Sequence, residues 1–205
     1  MEMNDFSAFS EIECIKRMDH GCYNMFMDML KYYAPKLETR IVLDGSAFTS
    51  HDAYHCLDIY SCLLRENTAY RDGLGLSKRE LFILNLAVLF HDIGMSNSLE
   101  ARRDNHSKLS ADYVQKEYDD IRSMLRSQTD LTVSEVKAMK AIIKAHSNIK
   151  GDASIPKERN GIRLPELKKE YKDLHSKPIK ALFLAGLLRL GDELDVTSER
   201  LGNGM

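Results

Sequence analysis

No stretch of this chain is apolar for long enough to cross a bilayer: the longest runs, residues 81–90 and 179–190, fall well short of the ~20 residues a spanning helix needs. The N-terminus Met1-Glu-Met-Asn-Asp5 also lacks the basic-then-apolar order of a secretory signal. A cytoplasmic protein with no membrane partner is the expectation. Cysteines are few, Cys14, Cys22, Cys56 and Cys62, and form no CxxC pair, which argues against a zinc knuckle or a disulfide frame and for reduced core thiols. An excess of one charge is lacking too. A formal net charge of −2 and a pI near 6.4 give no footprint for an extended nucleic-acid surface, although a local basic patch could still hold a phosphate. Internal repeats, low-complexity tracts and domain linkers are absent, and Arg40-Ile-Val-Leu43, the one hint of a strand, is too short to carry a sheet.

What is present is helical periodicity in a chain of 205 residues, 43% hydrophobic and 29% charged, enough for one globular domain with a sizeable core. Two helices are announced by capping boxes, Ser77-Lys-Arg-Glu80 before the apolar run 81–92 and Thr132-Val-Ser-Glu135 before the segment that ends at His146. Further helices are expected at about 8–19, 22–38, 50–69, 107–126, 165–175 and 178–191. The stretch 148–164, with two glycines, a proline and mixed charge, reads as the longest loop and, following His146 directly, as a lid. Six methionines among residues 1–29, with Tyr23, Phe26, Tyr32 and Tyr33, make an adaptable packing face that belongs in the core before it belongs to a partner.

The pair His91-Asp92 closes the run Leu81 to Phe90 and is followed by Ile93-Gly94. Consecutive helical residues point about 100° apart and do not normally share one ion, so a break at Gly94 is expected to let Asp92 swing toward the point His91 faces. Three other segments carry a ligand-type residue: His55 in the first turns of its helix, His146 at the end of the Thr132 helix, and Asp192 after Phe183 to Gly191. Singly, each has a plain structural reading, since a histidine at a helix C-terminus gains from the helix dipole and an aspartate past an apolar run is simply solvated. Together they are harder to dismiss, because buried carboxylates are costly unless paired or bound to a cation, and their nitrogen and oxygen donors suit Mn, Fe, Mg or Zn.

In order and helical placement these residues resemble the HD superfamily of metal-dependent phosphohydrolases, whose signature runs H…HD…H…D through an all-α bundle. The resemblance covers roughly residues 48–200 and includes Arg189-Leu-Gly-Asp-Glu-Leu-Asp195, which is similar to the family's terminal aspartate motif. It implies an HD-like core over 46–205, with the metal site at its centre, behind an N-terminal helical extension, 1–45. It also implies a first metal shell of His55, His91, Asp92 and Asp192, with one or two divalent ions per chain. His106 and His146 would join a second metal or contact phosphate. Asp92 would orient the attacking water and His106 would protonate the leaving oxygen. His51, one turn before His55, is an alternative ligand or a phosphate contact; Arg102, Arg103, Lys108 and Lys150 are candidate phosphate clamps that read equally as solvated surface charges. His20 and His175 read as surface histidines.

Departures narrow the branch. After His91-Asp92 comes Ile-Gly-Met-Ser, without the lysine of HDxGK, and residues 145–156 lack HHExxxGxGYP, which disfavours the cyclic-dinucleotide phosphodiesterases. Met95-Ser96 stands where alarmone hydrolases carry Glu-Asp. The resemblance therefore implies hydrolysis of a phosphoester in a small phosphorylated substrate, a nucleotide first among them. The alternative is a catalytically silent metal- or nucleotide-sensing module that regulates a larger protein. The segment after Asp192 is short for a helix that closes a bundle, so a C-terminal effector domain or a second copy of the chain are further partners to expect.

Overall fold

The computed structural model describes residues 7–38, 53–64, 75–96, 106–118, 120, 131–147, 167 and 170–202. These form an all-α bundle with one small hairpin. The order is α1 (Ser7–Ser10), α2 (Glu13–Lys16), α3 (His20–Glu38), α4 (Ala53–Leu64), α5 (Lys78–Phe90), a 3-10 turn (Ile93–Ser96), α6 (His106–Lys116), α7 (Val133–His146), β1 (Tyr171–Lys172), β2 (Pro178–Ile179) and α8 (Ala181–Gly202). No described helix is long and apolar enough to cross a membrane.

Helix α5 is the shaft of the molecule. Every residue from Arg79 to Phe90 is buried, as expected of a helix that is apolar all round, and α2, α3, α4, α6, α7 and α8 all pack on it. Its start is fixed by Ser77, whose hydroxyl accepts from the Glu80 amide while the Glu80 carboxylate accepts from the Ser77 amide. Helix α7 starts the same way at Thr132 and Glu135.

These two helices run side by side in the same direction. Near their N-termini, the Arg79 guanidinium donates through Nε and Nη2 to the two oxygens of Glu135, the latter bond 2.9 Å long. At their C-terminal ends the His91 and His146 rings are 5.0 Å apart. Both histidines stand fourteen residues after their N-cap, Ser77 to His91 and Thr132 to His146.

The apolar core of the described residues joins α1, α2 and α3, through Phe9, Ile15, Met25, Phe26 and Met29, with Met18 between α2 and α3, to the rest of the bundle. The described N-terminal methionines therefore lie in or against the core. Cys22 and Cys56 are buried thiols outside any disulfide, and burial pushes the Cys22 thiol up to about 11; the side chains of Cys14 and Cys62 lie outside what is described.

The structure corrects several boundaries. The helix expected over 8–19 is two short pieces, because Phe9 and Ile15 are both buried and six residues of straight helix would turn them about 240° apart. The helix expected over 165–175 is replaced, over its described residues, by an approach to the hairpin. There the Asp173 carboxylate accepts from the amides of His175 and Lys177, Ser176 adopts φ 61, and Tyr171 pairs with Ile179. A side chain that satisfies amides two and four residues on offers the backbone an alternative to the helix. The last helix starts at Ala181 and runs on to Gly202, so Asp192 lies within it and not past its end. The hint of a strand at 40–43, the lid at 148–164 and residues 121–126 lie outside the described residues, as do 50–52 and 65–69 of the helix expected over 50–69.

Candidate metal centre

The break at Gly94 works differently from the expectation. Gly94 does not use a left-handed conformation; His91 keeps helical angles as the C-cap, and a 3-10 turn follows. What requires glycine is space. A Cβ on Gly94 would lie 2.4 Å from the Ser110 amide nitrogen and 2.7 Å from the His106 carbonyl oxygen, so the turn presses directly on the backbone of α6. The Gly94 amide donates to the Ser110 hydroxyl at 2.9 Å across the same contact.

Around that turn the ligand candidates converge from five elements. His55 Nε2 lies 3.2 Å from His91 Nε2 and 3.2 Å from Asp192 Oδ1, while Asp92 Oδ2 lies 3.1 Å from His91 Nε2. On the other side, Asp92 Oδ1 lies 3.7 Å from His106 Nε2 and 3.6 Å from His146 Nε2, and those two nitrogens are 3.1 Å apart. Two groups of donors could each hold a metal ion: His55, His91, Asp92 and Asp192, and Asp92, His106 and His146. Asp92 belongs to both and offers a different oxygen to each.

The tautomers fit this reading. His91 Nδ1 lies 2.7 Å from the Val88 carbonyl and His146 Nδ1 lies 2.6 Å from that of Ile143, each three residues back on its own helix. A nitrogen facing a carbonyl carries the proton, which leaves the Nε2 lone pair facing inward. Lone pairs about 3 Å apart repel unless a proton or a cation sits between them. Electrostatics point the same way: burial alone would lower the pKa of His91, but Asp92 and Asp192 raise it well above the ordinary histidine value. Asp192 is held far below the usual carboxylate range, burial notwithstanding, by its hydrogen bonds to His55 and His91. Both shifts favour positive charge at the centre of the cluster.

A family model described as HD-CE matches residues 42–204. The chain belongs to the HD-CE family. No curated protein and no solved structure matches the chain at a significant level. Within this HD-CE domain, the His55, His91, Asp92 and Asp192 anticipated from the sequence meet at one point, and His106 and His146 meet beside them.

Among the other candidates, His51, Arg102, Arg103 and Lys150 lie outside the described residues. Lys108, half-buried, follows His106 by two residues on α6 and so stands about 200° around that helix from it. His20 and His175 are exposed, as expected. Sequence reasoning did not find Ser107 and Ser147, which immediately follow His106 and His146 and share a hydroxyl hydrogen bond of 2.8 Å. It also did not find the Arg79–Glu135 pair. The equal fourteen-residue spacing from cap to histidine was the available signal that the two helices are matched.

Proposed function

We propose that this HD-CE domain is a metal-dependent phosphohydrolase that cleaves a phosphoester bond in a nucleotide or a related small phosphorylated substrate. The observation that carries the reading is Asp92, whose two oxygens face two separate donor groups, an arrangement suited to a pair of cations sharing one carboxylate. Imidazole-rich donors favour Mn, Fe or Zn over Mg. Bound cations lower the pKa of a water and neutralise charge that develops on phosphoryl oxygens.

The protein's own part is to place the groups. His55, His91 and His146 are buried, so the inner side of the centre is closed to solvent, whereas the side chains of His106 and Asp192 remain 18% and 24% exposed and mark its open side. A phosphate approaching from that side meets His106 and Asp192. Burial lowers the pKa of His106, and although Asp92 opposes this, the other histidines reinforce it, which suits the ring to bind a cation or accept a proton near neutrality. A ring that holds a cation through Nε2 has no proton there to give, so with two cations bound His106 acts as a ligand, and the proton-donor role belongs to the case in which it contacts phosphate directly.

The test is turnover of a panel of nucleotides and generic phosphodiesters by protein stripped with chelator and reloaded with Mn, compared with Asp92→Ala. We expect metal-dependent turnover that falls at least ~100-fold in the variant. Equal rates in the two proteins would discard the site. Tight ion binding without turnover of any substrate would favour the silent sensing module.

A further inference from the structure

Three described hydrogen bonds connect the elements that carry the second donor group without involving a ligand side chain; Lys140 Nζ to Gln115 Oε1, 2.8 Å, joins α6 to α7 far along both helices from the ligands, and the other two lie beside them. One is the Gly94 amide to the Ser110 hydroxyl. The other joins Ser107 to Ser147, and its position is specific: Ser107 is the residue after His106 near the start of α6, and Ser147 is the residue after His146, the C-cap of α7. The two hydroxyls therefore bond at the level of the two ligands, across the same gap. Ser107 is 1% exposed, so its hydroxyl has no solvent to turn to if its partner is lost.

His106 needs such support more than His91 and His146 do. Those two close their helices and secure Nδ1 on the carbonyl three residues back. His106 opens its helix, where no carbonyl of its own helix lies behind it, and its Nδ1 is buried without a hydrogen-bond partner among the described residues. Among the described residues no hydrogen bond on Nδ1 sets the ring's direction, and its Nε2 hydrogen bond and ring contact run to His146, so its aim depends on where the backbone of α6 stands relative to α7.

We infer that Ser107 and Ser147 are positioning residues for the second cation: their hydrogen bond fixes His106 against His146 and thereby sets the affinity of the Asp92, His106 and His146 group, while the His55, His91, Asp92 and Asp192 group does not depend on it. This inference rests on the two-cation reading above. Groups that orient a ligand from behind typically carry a factor of about ten or more in metal affinity.

The experiment titrates Mn alone into the chelator-stripped 205-residue chain, followed by calorimetry and by electron paramagnetic resonance, which separates a lone Mn from a coupled pair. Wild type is expected to take up two ions per chain in two steps, the second giving the coupled signal. In Ser147→Ala the first step is unchanged and the second weakens about tenfold. Ser107→Ala gives the same loss, the double variant no more than either alone, and Ser147→Thr, which keeps the hydroxyl, restores the second step. Helix packing through Ala111, Val114, Ala138 and Ile142 keeps the variants folded, with wild-type circular dichroism. Unchanged second-step affinity in Ser147→Ala, parallel loss of both steps, unfolding of the variants, or a single step in wild type overturns the inference and leaves the metal-dependent reading standing. Wild type that binds no Mn overturns both.

Discussion

His91 gives one nitrogen to its own helix and keeps the other for the centre, and that division has a measurable pH consequence. Without a cation, Asp92 and Asp192 hold a proton on His91 to pH values well above the ordinary histidine range, despite burial. A cation must displace that proton. Mn affinity should therefore rise with pH across neutrality, by up to about tenfold per unit while one proton is displaced, and Mn addition to weakly buffered protein should acidify it. A flat affinity profile between about pH 6 and 8 would mean His91 is not a ligand. Residues of this kind were legible in the sequence because a polar ligand at the end of an apolar helix is locally conspicuous. Ser107 and Ser147 were not: two serines forty residues apart leave no local trace of a bond between them.

At the scale of elements, the two capping-box glutamates do more than start their helices. Glu80 Oε1 accepts from the Lys180 amide and Glu135 Oε1 from the Leu174 amide, so both clasp the segment that contains the hairpin. Glu135 also pairs with Arg79, and although burial pushes its carboxyl up, the hydrogen bonds from Arg79 and Thr132 bring it below the ordinary glutamate value. Its contribution to stability should be complete above about pH 4.5 and disappear as pH falls through the folded value. Glu135→Gln leaves a buried guanidinium without its counter-charge and should cost about 3–5 kcal/mol in urea unfolding at pH 7, with a flatter acid limb than wild type. Gly94→Ala forces a methyl against the backbone of α6 and should cost about 1–3 kcal/mol, weakening the second Mn step by moving His106. The boxes themselves were readable from Ser77, Glu80, Thr132 and Glu135. The hairpin was not, because the helical pattern of 165–175 gives way to contacts made far away, such as the Lys172 amide on Ser134 Oγ and the Leu174 amide on Glu135.

For the molecule as a whole, the bundle was legible from periodicity, and the meeting of the donor residues from the family resemblance that their order along the chain carries. The packing of α1 to α3 into the common core was not, since nothing in Phe9 or Met29 says which helix they meet. A centre assembled from α4, α5, α6, α7 and α8 places its charge cost on the entire fold, so cations should act as a global fastener. Saturating Mn at about 100 times its dissociation constant should add ~2.7 kcal/mol per site to unfolding, and chelator should lower the melting temperature correspondingly. An equal melting temperature with and without chelator would show that the donors close on no ion. The parallel register of α5 and α7 carries a last consequence. Levelled at one end by Arg79 and Glu135, and equal in length from cap to histidine, the two helices act as matched rulers that deliver His91 and His146 to the same height. One residue inserted into either ruler turns its histidine by about 100° and advances it ~1.5 Å, so the centre tolerates changes of residue along these helices far better than changes of their length.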